Sequence, residues 1–451
     1  MIRSAGFQLM LYRKAAPAVV GLALCGCGPA PKARPNLLLI TVDTLRADHL
    51  GCYGYRRDTS PRIDALAREG TRFATAITAA PVTLTSHASI LTSTYPSAHG
   101  LLGNQHYLID GARLTTAAEI LRPLGYRTGA FVSASILSHR YGLADGFDIY
   151  EDSFDLQAGA ARRRGRQTVD LALAWLRRAK GGPFFLWLHL FDPHGEYDPP
   201  EPYRSLVLPK RRAKHQPARE PSKQMLYDGE IRYADAQVGR MLDHLQASGM
   251  APRTLVILTA DHGQGLGQHG IEGHIRSLFD EVARVPLILR CPGRVPAGKV
   301  VGGQVRTIDI LPTALELMGV ERRGQFDGRS LAPLLQGHAA ATEVQRTAYV
   351  QTWLYGVDQR LKAGENGLYH PRALRTERWK LIDDKTHGGV QLYDLSSDPH
   401  EQTNLAARQT QVVSQLQQQL THLLSRARPV PEAAELTPTE KAKLRALGYL
   451  N

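Results

Sequence analysis

The chain has 451 residues, 43% of them hydrophobic and 22% charged, with a formal net charge of +13. This is ordinary globular composition, with room for two or three average domains or for one large α/β domain and a small companion, and it excludes a chain too polar to bury a sizeable core. The positive balance favours anionic partners such as an ester anion, an acidic polysaccharide or a lipid head group. With no zinc-finger spacing and no RNP-like aromatic run, nucleic acid is not expected.

Taken in chain order, the first residues predict an export signal. Arg3, Arg13 and Lys14 are basic, and residues 16–24 form an apolar stretch. That stretch is far shorter than the roughly 20 residues needed to span a bilayer. Leu24-Cys25-Gly26-Cys27, followed by Gly28-Pro29-Ala30-Pro31, resembles a bacterial lipoprotein box with Cys27 as the lipid-bearing residue. A plain secretory signal is the alternative. The expectation is an exported lipoprotein anchored to membrane in the cell envelope, in the periplasm or at the cell surface. Cys52 and Cys291 remain after processing, too few for a disulfide framework and not in a metal-type pair.

Residues 28–35 read as a Pro/Ala linker. The run Leu37-Leu38-Leu39-Ile40-Thr41-Val42 predicts a strand buried on both faces. Ser60-Pro61, then Ile63, Leu66 and Ala67, then Gly70 predict a helix capped by Ser60 and stopped by the glycine. Helical stretches around 114–124, 169–180 and 231–246 precede apolar runs at 131–132, 184–190 and 255–258. Strands alternating with helices imply parallel βαβ units. After about residue 340 the pattern changes: Trp379-Lys380-Leu381-Ile382 and Gln391-Leu392-Tyr393-Asp394-Leu395, with Gly388-Gly389 between them, predict an antiparallel hairpin, and 411–426 a closing helix. The basic runs Arg162-Arg163-Arg164 and Lys210-Arg211-Arg212 read as solvated loops. The fold class is therefore α/β: a large, mostly parallel sheet flanked by helices, with a smaller C-terminal α+β region containing an antiparallel sheet. The expected division is a signal at 1–27, the linker, a main domain at 36–338, a small subdomain at 339–428 and a tail at 429–451.

Polar residues that end buried parallel strands point into the crevice where α/β proteins bind ligands. Asp43 ends the first such strand, and Asp261-His262 ends the one at 255–260. A carboxylate and a carboxylate–imidazole pair from two strand ends suit a divalent metal site, although Asp-His-Gly alone is also a common capped turn.

Ordered motifs extend this reading. Asn36-Leu-Leu-Leu-Ile-Thr-Val-Asp43-Thr-Leu-Arg46-Ala-Asp48 resembles the opening signature of the sulfatase family, in the alkaline phosphatase superfamily. Pro81-Val-Thr83-Leu-Thr85-Ser86-His87 resembles its nucleophile segment and Asp192-Pro193-His194 its mid-chain histidine motif. Asp261-His262-Gly263 with His269-Gly270 matches its second metal segment, and Leu392-Tyr393-Asp394-Leu395 its C-terminal region. The likeness runs over residues 36–405.

Two departures alter what the resemblance implies. The family's C-x-P-x-R or S-x-P-x-R motif, whose first residue becomes formylglycine, is here Thr83-Leu84-Thr85-Ser86-His87, so no formylglycine is expected. Thr83 becomes the expected nucleophile, as in superfamily members that act on phosphate diesters, with Thr85 as the rival and Ser86 as a helix cap. Thr44 stands where many sulfatases carry a second aspartate. The expected cofactor is thus one divalent ion (Ca, Mn or Zn) on Asp43, Thr83, Asp261 and His262. His194 and His274 are the expected acid catalysts and, with His87 and His269, the substrate-binding residues. His87 is also readable as a helix-face histidine satisfied by backbone. The implied activity is hydrolysis of sulfate esters. The alternatives are cleavage or transfer of phosphate esters, and a non-catalytic glycan-binding role.

Overall fold

A computed structural model describes residues 34–101, 103–104, 115–154, 161–178, 181–208, 221–337, 346–352, 371–384 and 389–425. Cys27 with the export signal, the tail at 429–451 and the run Lys210-Arg211-Arg212 lie outside the described residues. No described helix is long and apolar enough to cross a membrane.

The strands in chain order are β1 (Asn36–Val42), β2 (Thr71–Ile77), β3 (Arg127–Phe131), β4 (Ile149–Glu151), β5 (Phe184–Leu190), β6 (Thr254–Thr259), β7 (Gly265–Leu266), β8 (Glu272–Gly273), β9 (Arg284–Arg290) and β10 (Lys299–Arg306). Eight of them form one sheet in the order β10-β2-β9-β6-β1-β5-β3-β4. β1 lies at its centre, parallel to β5 and to β6. All seven β1 residues and all seven β5 residues are buried, because helices cover both faces, which is why these strands read as unbroken apolar runs. The sheet is not wholly parallel: β9 runs antiparallel to both β2 and β6. The short strands β7 and β8 pair by themselves beside the sheet.

The first helix, Pro61–Glu69, buries Ile63, Leu66 and Ala67 on one face, the i, i+3, i+4 spacing of an amphipathic helix. Its cap differs from the expectation. The Ser60 hydroxyl accepts from Gly51 N and donates to Asp64, while the Asp235 carboxylate accepts from the backbone N–H groups of Arg62 and Ile63 at 3.0 and 2.8 Å. Asp235 sits on the long helix Lys223–Ala247, so a side chain distant in sequence does the capping.

The run Arg162-Arg163-Arg164 is not a solvated loop throughout. Arg163 donates to Val132 O and Glu151, and Arg164 bridges Asp192 and the buried Glu230 at 3.1 and 3.0 Å. These pairs pin the start of helix Gly165–Arg178 against the end of β5.

The C-terminal strands β11 (Ala348–Gln351), β12 (Arg372–Arg375), β13 (Trp379–Asp384) and β14 (Gly389–Asp394) make a separate antiparallel sheet in chain order. The expected hairpin is β13–β14, with Leu381 opposite Leu392. Helix Thr410–Leu424 packs Leu416 and Leu420 against this sheet beside Leu374 and Leu381.

Candidate active site

Asp43 follows β1, and Asp261-His262 follow β6. Because β1 and β6 are adjacent and parallel, with Thr41 opposite Thr259, both acidic groups emerge at the same sheet edge. Asp43, Asp261 and His262 each offer a ligand atom, and these atoms lie within 4.8 Å of one another. All three side chains are fully buried. Between them the backbone is strained: Thr44 has φ 54°, a left-handed conformation unusual for a β-branched residue. It is held by Tyr227, whose hydroxyl donates to Thr44 O at 2.7 Å, and by Thr44 N–H donating to Asp261 Oδ1. Strain of this kind persists where the surroundings fix a functional geometry.

The helix Thr83–Thr92 begins at the candidate nucleophile itself. Asn104 caps it by accepting from Leu84 N at 3.1 Å. Ser86, expected as the cap, instead donates to Asp261 O at 2.7 Å and ties this helix to the metal segment. The hydroxyl of Thr83, not that of Thr85, lies 3.3 Å from His262 Nε2.

The imidazoles fall into two kinds. A backbone carbonyl only accepts, so Nδ1 of His262, His274 and His194 must carry the proton that it shares with Gly263 O, Pro81 O and Gly195 O at 3.0, 2.8 and 2.8 Å. Each ring then presents Nε2 as its acceptor. The three lie together: His262 stacks on His274 at 4.1 Å, and His194 meets His274 edge-on at 5.5 Å. His194 also lines a cleft of about 200 Å³ with Arg162, Phe191 and Asp192. Burial holds His194 and His262 at about 3 and drives His274 well below the usual imidazole range.

The other two expected histidines are placed differently. His87 is buried on the helix face, with Nδ1 on Thr83 O at 2.8 Å and Nε2 on Thr41 Oγ1 at 3.0 Å. It orients the start of the helix, which is the backbone-satisfied reading. His269 contacts Glu281 at 2.9 Å and the carbonyls of His400 and Glu401, and stacks on Phe279. None of these belongs to the metal group, so His269 joins the main domain to the C-terminal region.

One residue of the site was missed. His189, inside β5 and opposite Thr41, accepts from Ser133 N at Nδ1 and so presents Nε2–H to Asp43 Oδ2 at 3.5 Å. The available signal was a lone imidazole in the apolar run Phe184-Phe185-Leu186-Trp187-Leu188-His189-Leu190.

The donor set fits a cation. Both oxygens of Asp43 and Oδ2 of Asp261 are buried without a well-formed hydrogen bond, an arrangement that is costly unless an ion accepts them. Asp261 Oδ2 also faces the acceptor Nε2 of His262 at 3.3 Å, which places two lone pairs together. Burial raises the Asp43 carboxyl well above the usual range, against the pull of Thr83 and Asp261. Asp261 is raised by burial and then by the charge of Asp43. A divalent cation would replace protons held by such a pair.

Fold and site together define a hydrolase of the alkaline phosphatase superfamily. The family model described as Sulfatase matches residues 35–320, and one described as N-sulphoglucosamine sulphohydrolase, C-terminal, matches 267–427. The chain belongs to the sulfatase family. It is 26% identical to an ulvan-active sulfatase of Formosa agariphila, over 83% of this chain and 78% of that one. It is 25% identical to a Delta 4,5-hexuronate-2-O-sulfatase of Bacteroides thetaiotaomicron, over 86% and 88%. In fold it is similar to a protein solved with its substrate D-glucosamine-2-N,6-O-disulfate (TM-score 0.73, 20% identity, 88% of this chain and 100% of that one). It is also similar to a phosphonate monoester hydrolase of Agrobacterium radiobacter (TM-score 0.71, 22% identity, 87% and 95%).

Proposed function

We propose that the protein hydrolyses sulfate esters of an anionic glycan in the cell envelope, with Thr83 as nucleophile and one divalent ion on Asp43, Thr83, Asp261 and His262. The observation that carries this reading is the Thr83 hydroxyl set 3.3 Å from His262 Nε2, beside a carboxylate pair in which three buried oxygens lack a well-formed hydrogen bond. Family membership and the names of the relatives support sulfate as the group transferred.

When bound, a divalent cation supplies Lewis-acid stabilisation of negative charge and favours the ionised hydroxyl. Asp43, Asp261 and His262 are the residues that would hold it, and two carboxylates with an imidazole and a hydroxyl suit Mn or Zn better than Ca. Thr83 Oγ1 attacks sulfur, its proton passing to water. The new Thr83–sulfur bond forms as the bond from sulfur to the sugar oxygen breaks. His194 or His274 gives that oxygen a proton. Burial favours the neutral ring in both, with Nδ1 holding its one proton, so the acid form takes a second proton from solvent at Nε2, an uptake that the negative ester beside it favours. Water then displaces the threonine oxygen, releasing sulfate. The cleft lined by Arg162 and His194 gives an anionic sugar its approach. Export with Cys27 as the lipid-bearing residue puts the enzyme where such glycans occur.

Thr83 itself favours a second reading, phosphate-ester cleavage, because an unmodified hydroxyl offers no aldehyde hydrate. One experiment separates the two. A single purified sample is assayed on matched aryl sulfate and aryl phosphate esters, with and without chelator. Chelator-sensitive turnover of the sulfate is expected to dominate. Dominant phosphate turnover establishes the second reading, and metal-dependent turnover of neither removes both.

A further inference from the structure

We infer that Lys380, on β13 of the C-terminal sheet, is a positioning residue for the segment that carries His262 and His274; this rests on the reading of those two histidines given above. Lys380 is fully buried. Its ammonium lies 2.7 Å from Asp280 Oδ1 and 2.7 Å from Glu401 Oε1. Arg375 holds the other oxygen of Asp280 at 2.8 Å, and Asp280 N donates to Glu401 Oε2 at 2.7 Å. Two cations and two carboxylates thus close around the start of the helical turn Asp280–Ala283.

That turn supports the metal segment directly. Its carbonyls at Val282 and Glu281 accept from Gly263 N and Gln264 N at 2.8 and 3.0 Å. The two backbones are so close that a Cβ on Gly263 would come 2.1 Å from Glu281 O. His262 precedes this glycine, and its Nδ1 rests on the glycine carbonyl. The path from Lys380 runs through Asp280 and one helical turn to Gly263, with no gap in it. The same region grips the rest of the loop. Thr352 donates to Ile275 O, next to His274, and His269 contacts Glu401 O at 3.1 Å.

Docking alone does not call for such a cluster. A buried ion group is weak as a source of stability, and well-packed apolar residues hold two units together as well or better. What the four charges add is one fixed geometry for Asp280. Partners of this kind, one step removed from a metal ligand, tune its orientation and typically change metal affinity by about 10- to 100-fold.

The test uses the full-length protein. The double variant Lys380→Met/Glu401→Gln removes one charge of each sign and leaves Arg375 on Asp280. It is expected to stay folded by circular dichroism, to bind Mn²⁺ about tenfold more weakly by calorimetry, and to lose about tenfold in kcat on an aryl sulfate with KM little changed. Lys380→Arg is expected to restore much of both. A folded double variant whose Mn²⁺ affinity and kcat stay within about twofold of the parent overturns the inference. If the double variant does not fold, Arg375→Gln replaces it. A smaller loss in the same direction supports the inference, and unchanged values in that folded variant overturn it. Parent protein that binds Mn²⁺ but turns over no sulfate ester removes the proposed function alone, leaving the Mn²⁺ affinities to decide the role of Lys380. Parent protein that neither binds Mn²⁺ nor turns over an ester overturns both.

Discussion

The edge of the main sheet and the edge of the C-terminal sheet both bury charge, and they treat it in opposite ways. Beside β1 and β6, Asp43 and Asp261 keep three carboxylate oxygens without a well-formed hydrogen bond. Beside β13, Lys380 and Arg375 meet Asp280 and Glu401 at hydrogen-bond distance. A buried polar group without a partner costs stability, and a protein keeps that cost where a ligand will remove it. The cluster's opposite charges meet each other, with only Glu401 Oε1 facing its ammonium off the hydrogen-bond line, and such pairing fixes shape. The first edge is built to bind and the second to hold.

The largest effect that tests this contrast is expected from Thr83→Ala. Turnover should fall on the order of a thousandfold or more, with circular dichroism near that of the parent and Mn²⁺ still held, more weakly, by Asp43, Asp261 and His262. Near-parental turnover would remove Thr83 as nucleophile. Next comes Lys380→Ala, which leaves Asp280 and Glu401 with one cation between them. Denaturant unfolding should report a loss of about 3–5 kcal/mol, and a loss near zero would show that water reaches the cluster. Asp43→Asn should behave in the opposite way in chelator, melting no lower than the parent because one of two crowded carboxyls is gone. The gain of about 2.7 kcal/mol that a hundredfold excess of metal over Kd gives the parent should vanish in this variant. A variant that keeps the gain places the ion elsewhere.

Acid supplies a smaller effect. Burial holds His189, His194 and His262 at about 3, well below the imidazole value of 6.5. A folded value below the unfolded one gives stability that is present above pH 6.5 and lost as pH falls toward 3. Between pH 7 and 6 the loss is under about 1 kcal/mol per histidine. Because the raised Asp43 and Asp261 carboxyls act in the opposite sense in metal-free protein, the check is made on the rings themselves: their NMR shifts should stay those of neutral imidazole between pH 7 and 6, and protonation in that interval would contradict their burial. The smallest change belongs to the exposed pair Lys223–Glu272 at 2.6 Å, where Lys223→Ala should alter stability by under about 1 kcal/mol.

Much of the architecture was legible because burial on both faces leaves a plain trace. Continuous apolar runs marked β1, β5 and β6, and the glycines at 388–389 marked the β13–β14 hairpin. The reversed direction of β9 was not legible, since its residues are as apolar as those of a parallel strand and direction is set by partners distant in the chain. The same holds for the cap of helix Pro61–Glu69. Ser60 had the right chemistry and place, and Asp235 from another helix took the role. At the site, Asp43, Thr83, Asp261, His262, His194 and His274 come together as the ordered motifs implied. His87 and His269 are engaged by protein groups, His87 by Thr83 O and Thr41 Oγ1 and the half-buried His269 by Glu281 and two C-terminal carbonyls. His189 went unread because a single polar residue in a strand looks like an interruption until its neighbours are known.

The hydroxyl at the start of helix Thr83–Thr92 has one more consequence. On the proposed role of Thr83, the reacting side chain is the translated one and needs no conversion to formylglycine. Samples made in unrelated expression hosts, with or without oxygen, should then have equal specific activity and an intact mass that matches the encoded residues at this position.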